Sequence, residues 1–149
     1  MEVEYNLNFI SSEELFEFLL LLNNDFSQKL SEKFDLSEYS VKLIKNAVIY
    51  SSHYNNQLVG LIAFYANDPN KNNAYLSLLG VTKQYRKMGM ASNLFYMSYE
   101  YLKNKNFNQI QLEVYKDNVV ARDFYGKHNF KVIKEIDSGS LLMQLDFNK

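Results

Sequence analysis

Three cations and several small residues stand together in Lys83-Gln84-Tyr85-Arg86-Lys87-Met88-Gly89-Met90-Ala91-Ser92. Gly89 and Ala91 carry almost no side chain, so a ligand can approach the backbone closely there. From Met90 the apolar residues recur at Leu94, Met97 and Tyr101, which is helical spacing. The first N–H groups of a helix lack internal partners and carry partial positive charge. Lys83, Arg86 and Lys87 add full charges beside them. Such a place suits a phosphate or pyrophosphate. Plain turn chemistry with solvated lysines accounts for the same residues, so this stretch alone leaves both readings open. It is not a P-loop, because no Gly-Lys-Ser/Thr follows, and it has only one glycine of the dinucleotide fingerprint.

A second constellation lies downstream, in Asn118-Val119-Val120-Ala121-Arg122-Asp123-Phe124-Tyr125-Gly126-Lys127-His128-Asn129-Phe130. Asn118 is a good N-cap, and Ala121, Phe124, Tyr125 and His128 fall on one helical face. Together the two stretches resemble the GNAT superfamily of acyl-CoA-dependent N-acyltransferases. Arg86 to Ala91 is similar to its Arg/Gln-x-x-Gly-x-Gly/Ala signature. Asn118 to Phe130 is similar to its Asn-x-x-Ala-x-x-Leu/Phe-Tyr-x-x-x-Gly-Phe segment. The pattern departs at Asn129, where Gly is usual; Asn tolerates the left-handed backbone that Gly would supply. Positions 75–130 carry the specific likeness.

The elements that must hold these residues follow from periodicity. Residues 3–10 alternate weakly and read as a first strand. Ser11-x-x-Glu14 is a capping box for a helix with Leu15, Phe18, Leu19 and Leu22 on one face. Asp25-x-x-Gln28 caps a second short helix, and Ser37 starts a third. Residues 47–54 and 57–66 form a hairpin across Asn55-Asn56. A strand over 74–81, with Leu76, Leu78, Leu79 and Val81, leads into the basic turn and a helix to about 105. The strand from Gln109 to Val114, the short helix, and a hairpin of 130–136 with 140–147 across Ser138-Gly139 complete the chain. This order suits one α/β or α+β domain over residues 1–149. The resemblance adds a mixed, mostly antiparallel, twisted sheet flanked by helices, splayed between the strands ending near Val81 and Val114. Gly80 would suit a bulge at that splay.

Composition bounds the chemistry. Of 149 residues 47% are apolar and the net charge is −1, so the chain is globular and offers no general basic field for nucleic acid. It has no Cys and two His, which excludes thiol chemistry and disfavours a zinc site. Neither a signal peptide nor a membrane-spanning run is legible, and the expectation is a soluble cytoplasmic protein with no membrane partner.

The resemblance implies acetyl-CoA as cosubstrate, no metal, and direct transfer of an acetyl group to a primary amine. It places the pyrophosphate on the backbone of Lys87, Met88, Gly89, Met90, Ala91 and Ser92, with Arg86, Lys87 and Lys127 neutralising charge. The pantetheine arm would run beside Leu79, Gly80 and Val81, against the face bearing Ala121 and Phe124. The Val81 N–H would polarise the thioester, and Tyr125 would protonate the departing sulfur, although a packing role also fits a tyrosine there. Asn118 would contact the arm, cap its helix, or both. The family's strand glutamate has no counterpart in Ala74 to Leu79; Tyr75, Ser77 or Glu113 acting through water, or no base at all, remain open. The acceptor is expected to be a small amine such as an amino sugar, polyamine or amino acid. A protein N-terminus or lysine, and a non-catalytic acetyl-CoA sensor, are the alternatives. A homodimer is compatible with the family.

Overall fold

A computed structural model describes residues 2–25, 29–137 and 139–147. The strands are β1 (Glu4–Leu7), β2 (Val48–Tyr54), β3 (Gln57–Tyr65), β4 (Asn73–Val81), β5 (Gln109–Tyr115), β6 (Lys131–Ile136) and β7 (Ser140–Asp146). The helices are α1 (Ser12–Asn23), α2 (Leu30–Lys33), α3 (Leu36–Asn46), α4 (Met90–Asn104) and α5 (Val119–Lys127). The strands form one seven-stranded sheet in the order β1-β2-β3-β4-β5-β7-β6. Every pairing is antiparallel except β4 with β5, so the sheet is mixed as expected.

Each face of the sheet buries its own core. Leu15, Phe18, Leu19 and Leu22 of α1 and Leu43 of α3 pack on Ile49, Leu61, Ala63 and Leu78. On the other face Leu94, Phe95 and Leu102 of α4 meet Ile62, Phe64, Ile110 and Leu112. Phe64 is fully buried at the centre of this second core. Phe64→Ala is expected to cost about 3–5 kcal/mol, read as a lower urea midpoint with an unchanged slope.

Several local expectations are refined. β1 is shorter than 3–10, because Asn8 turns left-handed (φ 51°) and its side chain takes the Ile49 N–H at 2.8 Å. Half of the capping box forms: Ser11 Oγ accepts the Glu14 N–H at 3.1 Å, while the Glu14 carboxylate turns to His53 Nε2, also at 3.1 Å. Asp35, not Ser37, caps α3, accepting the Glu38 N–H at 3.1 Å. The expected Asp25-x-x-Gln28 cap falls partly on residues 26–28, outside the described residues. Ser138 of the last hairpin turn also lies outside them. Asn55 and Asn56 make the expected tight turn with φ of 51° and 62°, and Asn129 adopts the left-handed conformation (φ 73°) that glycine would have supplied.

The expected bulge is not at Gly80. Gly80 stays in register opposite Leu61, and the slip falls between Ala63 and Phe64, leaving Ser77 as the extra residue of β4. Gly80 is small for another reason. A Cβ there would lie 2.5 Å from Leu22 Cδ1, so the missing side chain lets α1 close onto the end of β4.

Candidate functional site

The sheet opens where β4 and β5 part. They pair only from Asn73 with Gln109 to Tyr75 with Gln111; beyond that no ladder joins them. Alternation shows which backbone groups face the opening. Thr82 N–H donates to Val59 O at 2.8 Å, so Thr82 and Val59 form a hydrogen-bonded antiparallel pair. Val81 opposite Gly60 and Leu79 opposite Ile62 are then non-hydrogen-bonded pairs, and their N–H groups point away from β3 into the gap. On β5, Lys116 N–H donates to Gly139 O at 2.7 Å, so by the same alternation the Glu113 and Tyr115 backbone edges face the gap from the other side. Unpaired strand edges of this kind accept an extended ligand as a further strand would.

A cavity of about 450 Å³ fills the opening, lined by Leu22, Asp25, Leu79, Gly80, Val81, Arg86, Ala91, Asn118, Val120, Ala121, Phe124 and Tyr125. Residues from both sequence motifs therefore meet around one space. At its end the chain makes two left-handed turns, at Lys87 (φ 64°) and Gly89 (φ 81°), and enters α4 with Gly89 as N-cap and no side-chain cap. The first helical bond is Asn93 N–H to Gly89 O at 3.0 Å. Among the described residues, the N–H groups of residues 87–92 donate to no other group. That is an anion nest at a helix N-terminus, with Lys87 exposed beside it.

The predicted residues divide by position. Leu79, Gly80, Val81, Ala91, Asn118, Ala121, Phe124 and Tyr125 line the cavity. Met88 is exposed, and Met90 sends its side chain into the core, with Ser52 Oγ 3.0 Å from its sulfur, so both offer the nest only backbone. Arg86 also lines the cavity, yet it is tied down. Its Nε donates to Val81 O at 2.8 Å and its Nη2 pairs with Asp25 Oδ2 at 2.8 Å. Lys127 lies apart from the cavity, on a cleft with His128, Lys131 and Asp146. Asn118 caps α5, its Oδ1 accepting the Ala121 N–H at 3.2 Å.

Tyr125 packs edge-on against Phe124 and Phe130, and burial raises its pKa well above 10. Its hydroxyl has no hydrogen-bond partner among the described residues. It therefore carries its proton throughout the neutral range and has it to give.

At the apex of the gap lies a second protic group. Tyr75 is the last β4 residue paired with β5, and its hydroxyl sits against Glu113. Burial first, then the Glu113 charge and hydrogen bonding to its carboxylate, push the Tyr75 pKa up to about 12. The bulged Ser77 shares a 2.5 Å hydrogen bond with the Tyr39 hydroxyl. Burial, partly offset by Ser77, pushes Tyr39 to about 12 as well. Glu113 also borders a cleft of about 250 Å³ with Lys29, Glu32, Lys33, Val114, Tyr115 and Ser140, on the α2 side of the sheet. Glu113 thus borders both the gap, through its backbone edge, and this cleft on the α2 side.

Sequence reading missed Asp25, Leu22 and Tyr39. Leu22 shows only as an apolar-face residue, Tyr39 carries no signal of its own, and the Arg86–Asp25 pair joins positions far apart in the chain. His128 stood on the same helical face as Tyr125, which was its one signal.

The profile of the acetyltransferase (GNAT) family matches residues 15–130. Streptothricin acetyltransferase A of Bacillus subtilis is 30% identical over 113 residues, covering 76% of this chain and 62% of that protein. N-alpha-acetyltransferase 30 of Schizosaccharomyces pombe is 36% identical over 56 residues, covering 38% of this chain and 37% of that protein. The chain thus spans less than two thirds of either relative. The fold matches that of the PaiA N-acetyltransferase of Thermoplasma acidophilum, solved with coenzyme A, at a TM-score of 0.74 and 19% identity over 98% of this chain and 99% of that one.

Proposed function

The chain belongs to the acetyltransferase (GNAT) family, and on that premise we propose that it moves an acetyl group from acetyl-coenzyme A directly to a primary amine of a small molecule. The observation that carries the donor half is the opening between β4 and β5, bounded by unpaired strand edges and ending in a nest of free N–H groups. A long thin donor with a diphosphate fits that shape and charge. The fixed Val81 N–H, facing the gap, is the group to stabilise the oxyanion that develops at the thioester carbonyl. One such donor is worth about 3 kcal/mol in a transition state.

Proton traffic completes the reaction. The amine attacks as the free base, the C–S bond breaks, and the sulfur leaves with a proton from Tyr125. The raised pKa of Tyr125 is not an obstacle, because burial penalises a thiolate at the same place as it penalises the phenolate. The amine's proton leaves through water toward Glu113, the carboxylate beside Tyr75. The small cleft that Glu113 shares with α2 supports a small acceptor, as does the long match to streptothricin acetyltransferase A. The shorter match to an N-alpha-acetyltransferase makes a protein N-terminus the second reading.

Release of free thiol from acetyl-coenzyme A over a panel of amino sugars, polyamines, amino acids and short peptides tests the assignment. The expected result is fastest release with one of the small amines. Fastest release with peptides would favour the second reading, and none with any amine would leave a binding module. With the best acceptor, Glu113→Gln is expected to lower kcat about tenfold near neutral pH. The deficit should shrink as pH rises, because hydroxide and buffer base then take the proton that the variant no longer accepts.

A further inference from the structure

His128 takes no part in the chemistry above, yet its ring reaches the donor end of the site. It follows α5 as the C-cap, and its Nε2 lies 3.2 Å from Ser92 Oγ. Ser92 is the third residue of α4, and its N–H is one of the free donors of the nest. The ring is held between Phe95 of α4, at 4.8 Å between centroids, and Phe124 of α5, at 4.6 Å. Phe124 itself lines the donor cavity. The imidazole is therefore fixed between α4, whose N-terminus forms the nest, and α5, which lines the donor cavity.

The Ser92 hydroxyl has one proton. Given to His128, it is lost to any anion. If His128 carries the proton on Nε2 it donates to Ser92 Oγ instead, and the Ser92 proton turns free for a phosphate oxygen. We propose that His128 is a positioning residue of the diphosphate site, holding the Ser92 hydroxyl as a donor to the anion and, when doubly protonated, strengthening that grip with a positive charge. The inference rests on the donor reading of the nest.

The sign of the pH dependence follows. Burial holds the His128 pKa below its ordinary value of 6.5, so the ring is neutral at neutral pH. An anion in the nest favours the charged ring and raises that pKa on binding. The gain in affinity is full below the free-state pKa and is lost as pH rises through the bound-state value. The other charged groups on the His128 cleft are Lys127 on its own helix, Lys131 of β6 and Asp146 of β7. The two lysines oppose charging of the ring and the aspartate favours it. From α4 the cleft receives only Phe95, Tyr96 and Tyr99, and Ser92 is uncharged.

Coenzyme A titrated calorimetrically into the intact protein and its His128→Gln variant, near pH 6 and near pH 8, provides the test. Gln keeps an N–H for Ser92 without a titratable charge. The ligand's own phosphate titration is common to both proteins, so the ratio of their affinities is the readout. Near pH 8 the two should bind within about twofold; near pH 6 the wild type should bind about fivefold tighter and take up protons, seen by comparing buffers of different ionisation enthalpy. A ratio that stays constant with pH overturns the proposal. Should the Gln variant not fold, Ser92→Ala serves: it should weaken binding and reduce proton uptake, and unchanged uptake overturns the proposal. If the wild type binds coenzyme A at neither pH, the donor reading falls and this inference with it. Binding with a flat ratio removes His128 alone.

Discussion

Tyr125→Phe is expected to lower kcat about 100-fold while acetyl-coenzyme A affinity stays within about twofold. The substitution removes one oxygen that has no hydrogen-bond partner among the described residues, and it keeps the ring that packs on Phe124 and Phe130. Nothing in the fold depends on that oxygen, so thermal stability should not fall. What is lost is the proton for the departing sulfur. A thiolate must then leave unprotonated into a cavity lined largely by apolar side chains. Steady-state kinetics with the donor varied, beside a thermal melt, separates this from a packing role. A variant with unchanged kcat would remove Tyr125 from the chemistry.

Ala91→Glu should act in the opposite sense on stability and on function. Ala91 is the second residue of α4, lines the donor cavity and stands among the free N–H groups. A carboxylate in the first turn of a helix complements its dipole by about 0.3–1 kcal/mol. The melting temperature should therefore hold or rise slightly. The same carboxylate occupies the nest and repels a diphosphate, so coenzyme A affinity should fall by about 100-fold or more. Calorimetry with coenzyme A beside a thermal melt reads both effects. A general loss of folding would lower both quantities together; affinity lost with stability kept marks the nest as an anion site.

The parts of the fold visible in the sequence were those decided locally. The left-handed turns at Asn55, Asn56 and Asn129, the Gly89 entry to α4 and the Asn118 cap each follow from the residue that stands there. The β4–β5 opening was legible only through the family likeness, because no residue of β4 or β5 forbids further pairing. The bulge does not follow Gly80, because register is set by the partner strand. The slip occurs where Ala63 and Phe64 face opposite cores, which no local signal in β4 reveals. Glycine at 80 answers instead to Leu22, a contact across distant parts of the chain. In the sequence Arg86 stands as a charge for the ligand, and the fold first gives it to Val81 O and Asp25. For the base the sequence leaves Tyr75, Ser77, Glu113 or none open. Their neighbours separate them: Ser77 is engaged by Tyr39, whereas Tyr75 and Glu113 meet at the apex of the gap.

A crystal structure with acetyl-coenzyme A bound tests the central claim most directly. The donor's diphosphate should lie on the N–H groups of residues 87–92, and its arm should run between Leu79–Val81 and the β5 edge. The acetyl carbonyl oxygen should sit within hydrogen-bonding distance of the Val81 N–H. A structure in which the donor binds elsewhere, with residues 76–81 and 112–115 joined by a continuous ladder, would contradict the account.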